Sequence, residues 1–122
     1  MATVATVLVG FLALLHVYIL VLEMFLWTKP IGMRTFKRTA EEAASSAVLA
    51  ANQGLYNGFL AAGLAWGMFY ARNHPVSGRH IEIFFVSCVL VAGIYGGLTA
   101  ARKILFVQAV PALITLVCLH LY

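Results

Sequence analysis

Long apolar runs separated by short polar clusters dominate the chain, and no run shows the strict alternation of a half-buried strand. Four runs stand out, at about Val4 to Trp27, Ala43 to Tyr70, His80 to Ala101 and Ile104 to Leu121. About 20 helical residues at 1.5 Å each cross the ~30 Å hydrocarbon of a bilayer. The pattern therefore predicts an all-α fold, a four-transmembrane-helix bundle forming one domain over residues 1–122. Pro30 and Gly32 predict the end of the first span and a loop from Thr28 to about Thr39. Thr39-Ala40-Glu41-Glu42 reads as a capping box opening the second span, with both glutamates suited to a helix N-terminus. Arg72, Asn73, His74, Pro75, Ser77 and Gly78 predict a second loop over residues 71–79. Arg102 and Lys103 mark a tight turn, and Pro111 is expected to bend the last and shortest span.

Composition strengthens this reading. The chain is 63% hydrophobic and 10% charged, with a mean hydropathy of +0.97, whereas soluble domains carry about 25% charged residues. The net charge of +4 sits at the ends of apolar runs and not on an aromatic-studded face, which argues for anionic lipid as partner and against nucleic acid. Six of the eight basic residues, Lys29, Arg34, Lys37, Arg38, Arg102 and Lys103, fall in the first and third loops. The positive-inside rule then places those loops in the cytoplasm and both termini on the outer side of a multi-pass plasma-membrane protein. The first run has no positive residue before it and is too long for a signal-peptide core, so it is expected to be a permanent span. Cys88 and Cys118 both lie in apolar runs without a C-x-x-C spacing, which predicts structural thiols.

Polar residues inside the spans are the candidate chemistry. Asn52, Gln53, Tyr56 and Asn57 occupy one arc of about 140° on the second helix. Gly54, Gly58, Ala61 and Ala65 lie opposite, a small-residue face that admits a neighbouring helix. Glu23 and His16 share a stripe of the first helix, seven residues apart. Tyr95 and Gln108 supply the third and fourth spans. Counting helix rise from the basic loops predicts that Glu23, Asn52, Gln53, Tyr95 and Gln108 share a slab about 8–12 Å inside the cytoplasmic boundary, with His16 and Asn57 deeper. Intramembrane ionisable and amide groups must be paired or hydrated. These eight residues are thus the candidates for a ligand-binding pocket, or for hydrogen bonds that lock helices together. Gly93 and Gly97 form a further small-residue pair. No metal or cofactor is expected: His16 and Glu23 lack i, i+3 or i, i+4 spacing, no second histidine shares their depth, and there is no phosphate loop or nucleophile elbow.

The segments Leu15-His16-Val17-Tyr18-Ile19, Leu22-Glu23-Met24-Phe25-Leu26-Trp27 and Ala51-Asn52-Gln53-Gly54-Leu55-Tyr56-Asn57-Gly58, with Ala92-Gly93-Ile94-Tyr95-Gly96 and Gln108-Ala109-Val110-Pro111-Ala112, resemble a small integral-membrane family labelled domain of unknown function 1304. The resemblance covers nearly the whole chain. It implies a four-span protein of the plasma membrane and no particular activity.

Three functions fit these residues. The first is a carrier or transporter with a cytoplasm-facing polar pocket for a small molecule, working as a homo-oligomer because four spans are few for alternating access. The second is a structural or accessory membrane subunit whose polar groups satisfy one another. The third is a membrane enzyme acting on a lipophilic substrate, with Glu23 as acid or base and His16 or Tyr56 assisting.

Overall fold

Pro30, expected to stop a helix, opens one. In the computed structural model, which describes all residues from Met1 to Tyr122, the first helix α1 runs over Ala2–Met24 and a short helix α2 follows over Pro30–Phe36. Proline at the first helical position costs nothing, because its missing N–H would have had no intrahelical partner. Lys29 stands before it in an extended conformation (φ −90°, ψ 160°). Lys37 ends α2 in the left-handed region (φ 52°, ψ 51°), its N–H donating to the Met33 carbonyl. The segment expected to be a loop is therefore mostly helix.

Three longer elements complete the chain: α3 over Ala40–Tyr70, α4 over Pro75–Thr99 and α5 over Val110–His120, the last preceded by a π-helical turn, Leu105–Ala109. The capping box forms as expected. The Thr39 N–H donates to Glu42 Oε1 at 3.0 Å and the Glu42 N–H donates to Thr39 Oγ1 at 3.1 Å. These bonds hold the Glu42 carboxyl below its usual range, the Thr39 backbone N–H being the larger cause and the Thr39 side chain the next. The second loop is shorter than expected, because Pro75 again occupies a first helical position and starts α4 five residues early. The π-helical turn stands directly before Pro111. The Val110 N–H reaches back five residues to the Leu105 carbonyl, and such a turn relieves the clash between a proline ring and the carbonyl four residues earlier.

The fold is all-α. Two helices are long and apolar enough to cross a membrane, α1 with mean hydropathy 2.5 and α4 with 2.0, and in each only 28% of the apolar window is buried. At 31 residues α3 is longer than either, but its amides dilute its apolar character.

The chain forms two compact units, one of residues 1–13 with 62–122 and one of residues 14–61. In the first, Ala5, Val9 and Leu12 of α1, Leu64 of α3, Val86 and Val89 of α4, and Ala112 and Leu119 of α5 are buried. Backbones approach closely there at Gly93, where a Cβ would stand 2.8 Å from the Ala109 nitrogen. Arg79 donates to the Tyr122 carbonyl, and its guanidinium lies 4.1 Å from the centre of the Tyr122 ring. Glu82 of α4 is also buried, its Cγ in the space a Cβ on Gly67 would need.

In the second unit α1, α2 and α3 meet. Leu22, Ala43, Ala50 and Ala61 are buried there with His16 and Glu23. Trp27 lies in the turn after α1; its Nε1 donates to Ser46 Oγ at 3.1 Å and its ring packs on Phe36 at 4.9 Å. That pair ties α2 to the start of α3. A Cβ on Gly32 would lie 1.9 Å from the Leu26 carbonyl oxygen, so α2 folds back against the turn that follows α1 with no side chain between them.

Candidate functional site

The second unit contains a polar contact between two helices. Asn57 Nδ2 on α3 donates to Glu23 Oε1 on α1 at 2.6 Å and also to the Gln53 carbonyl of its own helix at 3.2 Å. Glu23 is 2% exposed. A buried carboxyl needs such a partner, because leaving it unmade costs its full desolvation.

Glycines make the contact possible. A Cβ on Gly54 would stand 2.7 Å from Met24 Cγ and 3.0 Å from Glu23 Cβ, and one on Gly58 would stand 2.6 Å from Leu20 Cδ1. Gly54 and Gly58 are four residues apart and share one stripe of α3. Their bare backbone lets Leu20, Glu23 and Met24 settle directly onto the helix, leaving Asn57 at the margin to meet the carboxyl.

The other sequence candidates divide into three groups. His16 is wholly buried, two turns before Glu23 on α1, about 10 Å along the axis. Asn52, Gln53 and Tyr56 are exposed, so of the four polar residues on this part of α3 only Asn57 reaches Glu23. The reason is the width of the arc. Asn57 lies at its far edge, near the glycine stripe, whereas Asn52 and Tyr56 lie near the edge turned away from it. Tyr95 and Gln108 belong to the other unit. Tyr95 is 71% exposed, and Gln108 Nε2 donates to the Val89 carbonyl at 3.1 Å. A surface hollow of about 290 Å³ in that unit is lined by Gly97 to Arg102 and by Leu105, and includes none of the eight candidates.

Sequence reasoning passed over Trp27 and Ser46 as a hydrogen-bonded pair, Gly32 as a close-approach position and Thr115 as a buried hydroxyl. Thr115 Oγ1 donates to the Pro111 carbonyl at 2.7 Å. Its i−4 spacing from a proline was the available signal.

The sequence profile of the family described as protein of unknown function DUF1304 matches residues 10–120, nearly the full length. The chain belongs to the DUF1304 family. The DUF1304 chain is also 32% identical over 118 residues to a protein named uncharacterized protein YpaA, from Lactococcus lactis subsp. lactis (strain IL1403), covering 94% of this chain and 96% of the relative. No solved structure matches it. The match includes Glu23, Gly54, Asn57 and Gly58 within its bounds.

Proposed function

We propose that this protein is a multi-pass plasma-membrane protein with four crossings and both termini on the outer side. Within it the Glu23–Asn57 hydrogen bond fastens α1 to α3, and a structural or accessory membrane subunit is the role the geometry supports best. The carrying observation is that Glu23 is enclosed and bonded while its own Cβ and its neighbours Leu20 and Met24 pack onto Gly54 and Gly58. Packing that close between small residues is how helices associate where lipid offers no hydrophobic driving force. The apolar, little-buried α1 and α4 support the membrane placement, as do the basic residues gathered around α2 and at Arg102 and Lys103.

Thermal unfolding in detergent tests the role. Glu23→Gln keeps an acceptor oxygen and is expected to melt near the parent, whereas Glu23→Ala loses about 1–3 kcal/mol. A Glu23→Ala variant that melts like the parent would end the fastening role. Labelling of single cysteines at residues 29 and 102 in right-side-out vesicles tests the topology, with labelling from the outside arguing against it.

One observation favours a second reading, a small-molecule carrier. Asn52, Gln53 and Tyr56 present an exposed polar wall beside Asn57, and a ligand seated there would have the Asn57–Glu23 pair at its edge. Uptake or efflux in reconstituted vesicles that vanishes in Glu23→Gln would support the carrier, and unchanged flux would remove it. The enzyme reading draws nothing from this geometry, since Glu23 is enclosed and bonded to Asn57 while His16 stands about 10 Å away along the same helix.

A further inference from the structure

We infer that the exposed face of α3 from Ser45 to Phe59 is the contact surface between two copies of this chain in the membrane. The inference rests on the membrane placement proposed above, and holds whichever role the protein has there.

The face is a seam. Ser45, Leu49, Asn52, Tyr56 and Phe59 follow one another at intervals of four, three, four and three residues, the spacing at which one helix keeps a stripe turned toward a partner. All five are exposed, Leu49 at 78%, Tyr56 at 60% and Phe59 at 55%. Gln53 is exposed at the border of the same stripe. The opposite face of the helix is already used, its glycines holding Leu20, Glu23 and Met24. The Tyr56 and Phe59 rings stand edge to face at 5.6 Å, so the aromatic part of the stripe is ordered before anything docks.

Lipid does not satisfy this surface. Asn52 and Gln53 lie near the middle of α3, more than three turns inside its start at Ala40, among Val48, Leu49 and Leu55. Each of their amides carries two donors and an acceptor oxygen, and neither makes a side-chain hydrogen bond within the chain. In hydrocarbon each unmade bond is costly.

The chemistry selects a second copy as the occupant. A side-chain amide is donor and acceptor at once, so Asn52 and Gln53 are complementary to themselves across a two-fold axis. No charged residue lies on the stripe from Ser45 to Phe59, so two identical faces meet without repulsion. A purely apolar partner would leave the amides unmatched.

The test begins with carbonate extraction, which asks only whether the chain is integral. Release into the supernatant would remove the membrane placement and this inference with it. For the integral protein, single cysteines are placed at Leu49, Asn52, Tyr56 and Leu55 in a Cys88→Ser, Cys118→Ala background and oxidised in phosphatidylcholine–phosphatidylglycerol vesicles. The expected result is disulfide-linked dimer at 49, 52 and 56 and little at 55, which points about 85° off the seam. In parallel, dye-labelled cysteine-bearing chain is diluted with lipid and its energy transfer followed. The double variant Asn52→Leu, Gln53→Leu is expected to raise the dimer dissociation constant about tenfold, the size of the interhelical hydrogen bonds it removes. A monomer at every dilution overturns the inference. So does cross-linking at 55 as strong as at 52, a foreign subunit or small molecule held on the stripe in place of a second copy, or a double variant that associates as tightly as the parent.

Discussion

Glu23 and Asn57 lie 34 residues apart in sequence and are joined by a 2.6 Å hydrogen bond between α1 and α3. The bond lies beside the close approach of the two helices at Gly54 and Gly58. A double-mutant cycle of Glu23→Ala and Asn57→Ala, followed by unfolding in mixed micelles, is expected to give a coupling of about 0.5–2 kcal/mol. Additive losses would mean the pair contributes nothing as a pair.

Gly54 and Gly96 should respond in opposite directions to alanine. Both substitutions gain up to ~1 kcal/mol of helix propensity. At Gly54 the new Cβ meets Glu23 Cβ at 3.0 Å and Met24 Cγ at 2.7 Å, and overpacking of that kind costs about 1–3 kcal/mol, so the loss wins. At Gly96 the nearest atom is the tip of Ile104 at 3.3 Å, a branch that can turn aside. Gly96→Ala is expected to melt at or above the parent, and Gly54→Ala below it.

Gly32→Ala should be the most disruptive of the alanine substitutions. Its Cβ would overlap the Leu26 carbonyl at 1.9 Å and crowd Trp27 Cα at 3.0 Å. Both are backbone atoms, so no rotamer change relieves them. The turn must open, and Trp27 must leave Ser46. Faster tryptic cleavage at Arg34 in this variant, with a red-shifted Trp27 emission in a Trp66→Phe background, is the expected outcome.

The start of α3 should fray in acid. The Glu42 carboxyl is held below its usual 4.5 by the Thr39 N–H and then the Thr39 side chain. A carboxyl with a lowered folded pKa contributes stability that is complete above the unfolded value and is lost as pH falls through the folded one. Protection of the Ala43 amide, whose N–H donates to the Thr39 carbonyl, should therefore fall below about pH 4.5 relative to the intrinsic exchange rate at each pH. In Glu42→Gln the acid-dependent part of that change should disappear.

Much of this was legible in the residues. The capping box at Thr39 and Glu42 depends on neighbours three apart, and such local chemistry reads directly from sequence. A bond from Glu23 to an amide of the next long helix was one of two outcomes the polar pattern allowed. The pattern could not say which amide, because Asn52 and Asn57 differ by some 140° around the helix, and only the partner's position decides which edge turns inward. Pro30 and Pro75 misled in the same manner. A proline that forbids the middle of a helix is equally suited to its first position, and the short apolar stretch Ile31 to Phe36 carries no periodicity long enough to announce α2. Burial of Glu82 was hidden for a different reason: its place depends on the absence of a side chain at Gly67, fifteen residues earlier.

The wide turn at Leu105–Ala109 holds one residue more than an ordinary helical turn between the same two ends. A relative that has dropped a single amino acid here can close the stretch as plain α-helix. Thr115, Cys118 and Leu119 would then keep their orientation toward the rest of their unit. Loss of one residue here therefore meets a natural shock absorber that leaves everything downstream in phase.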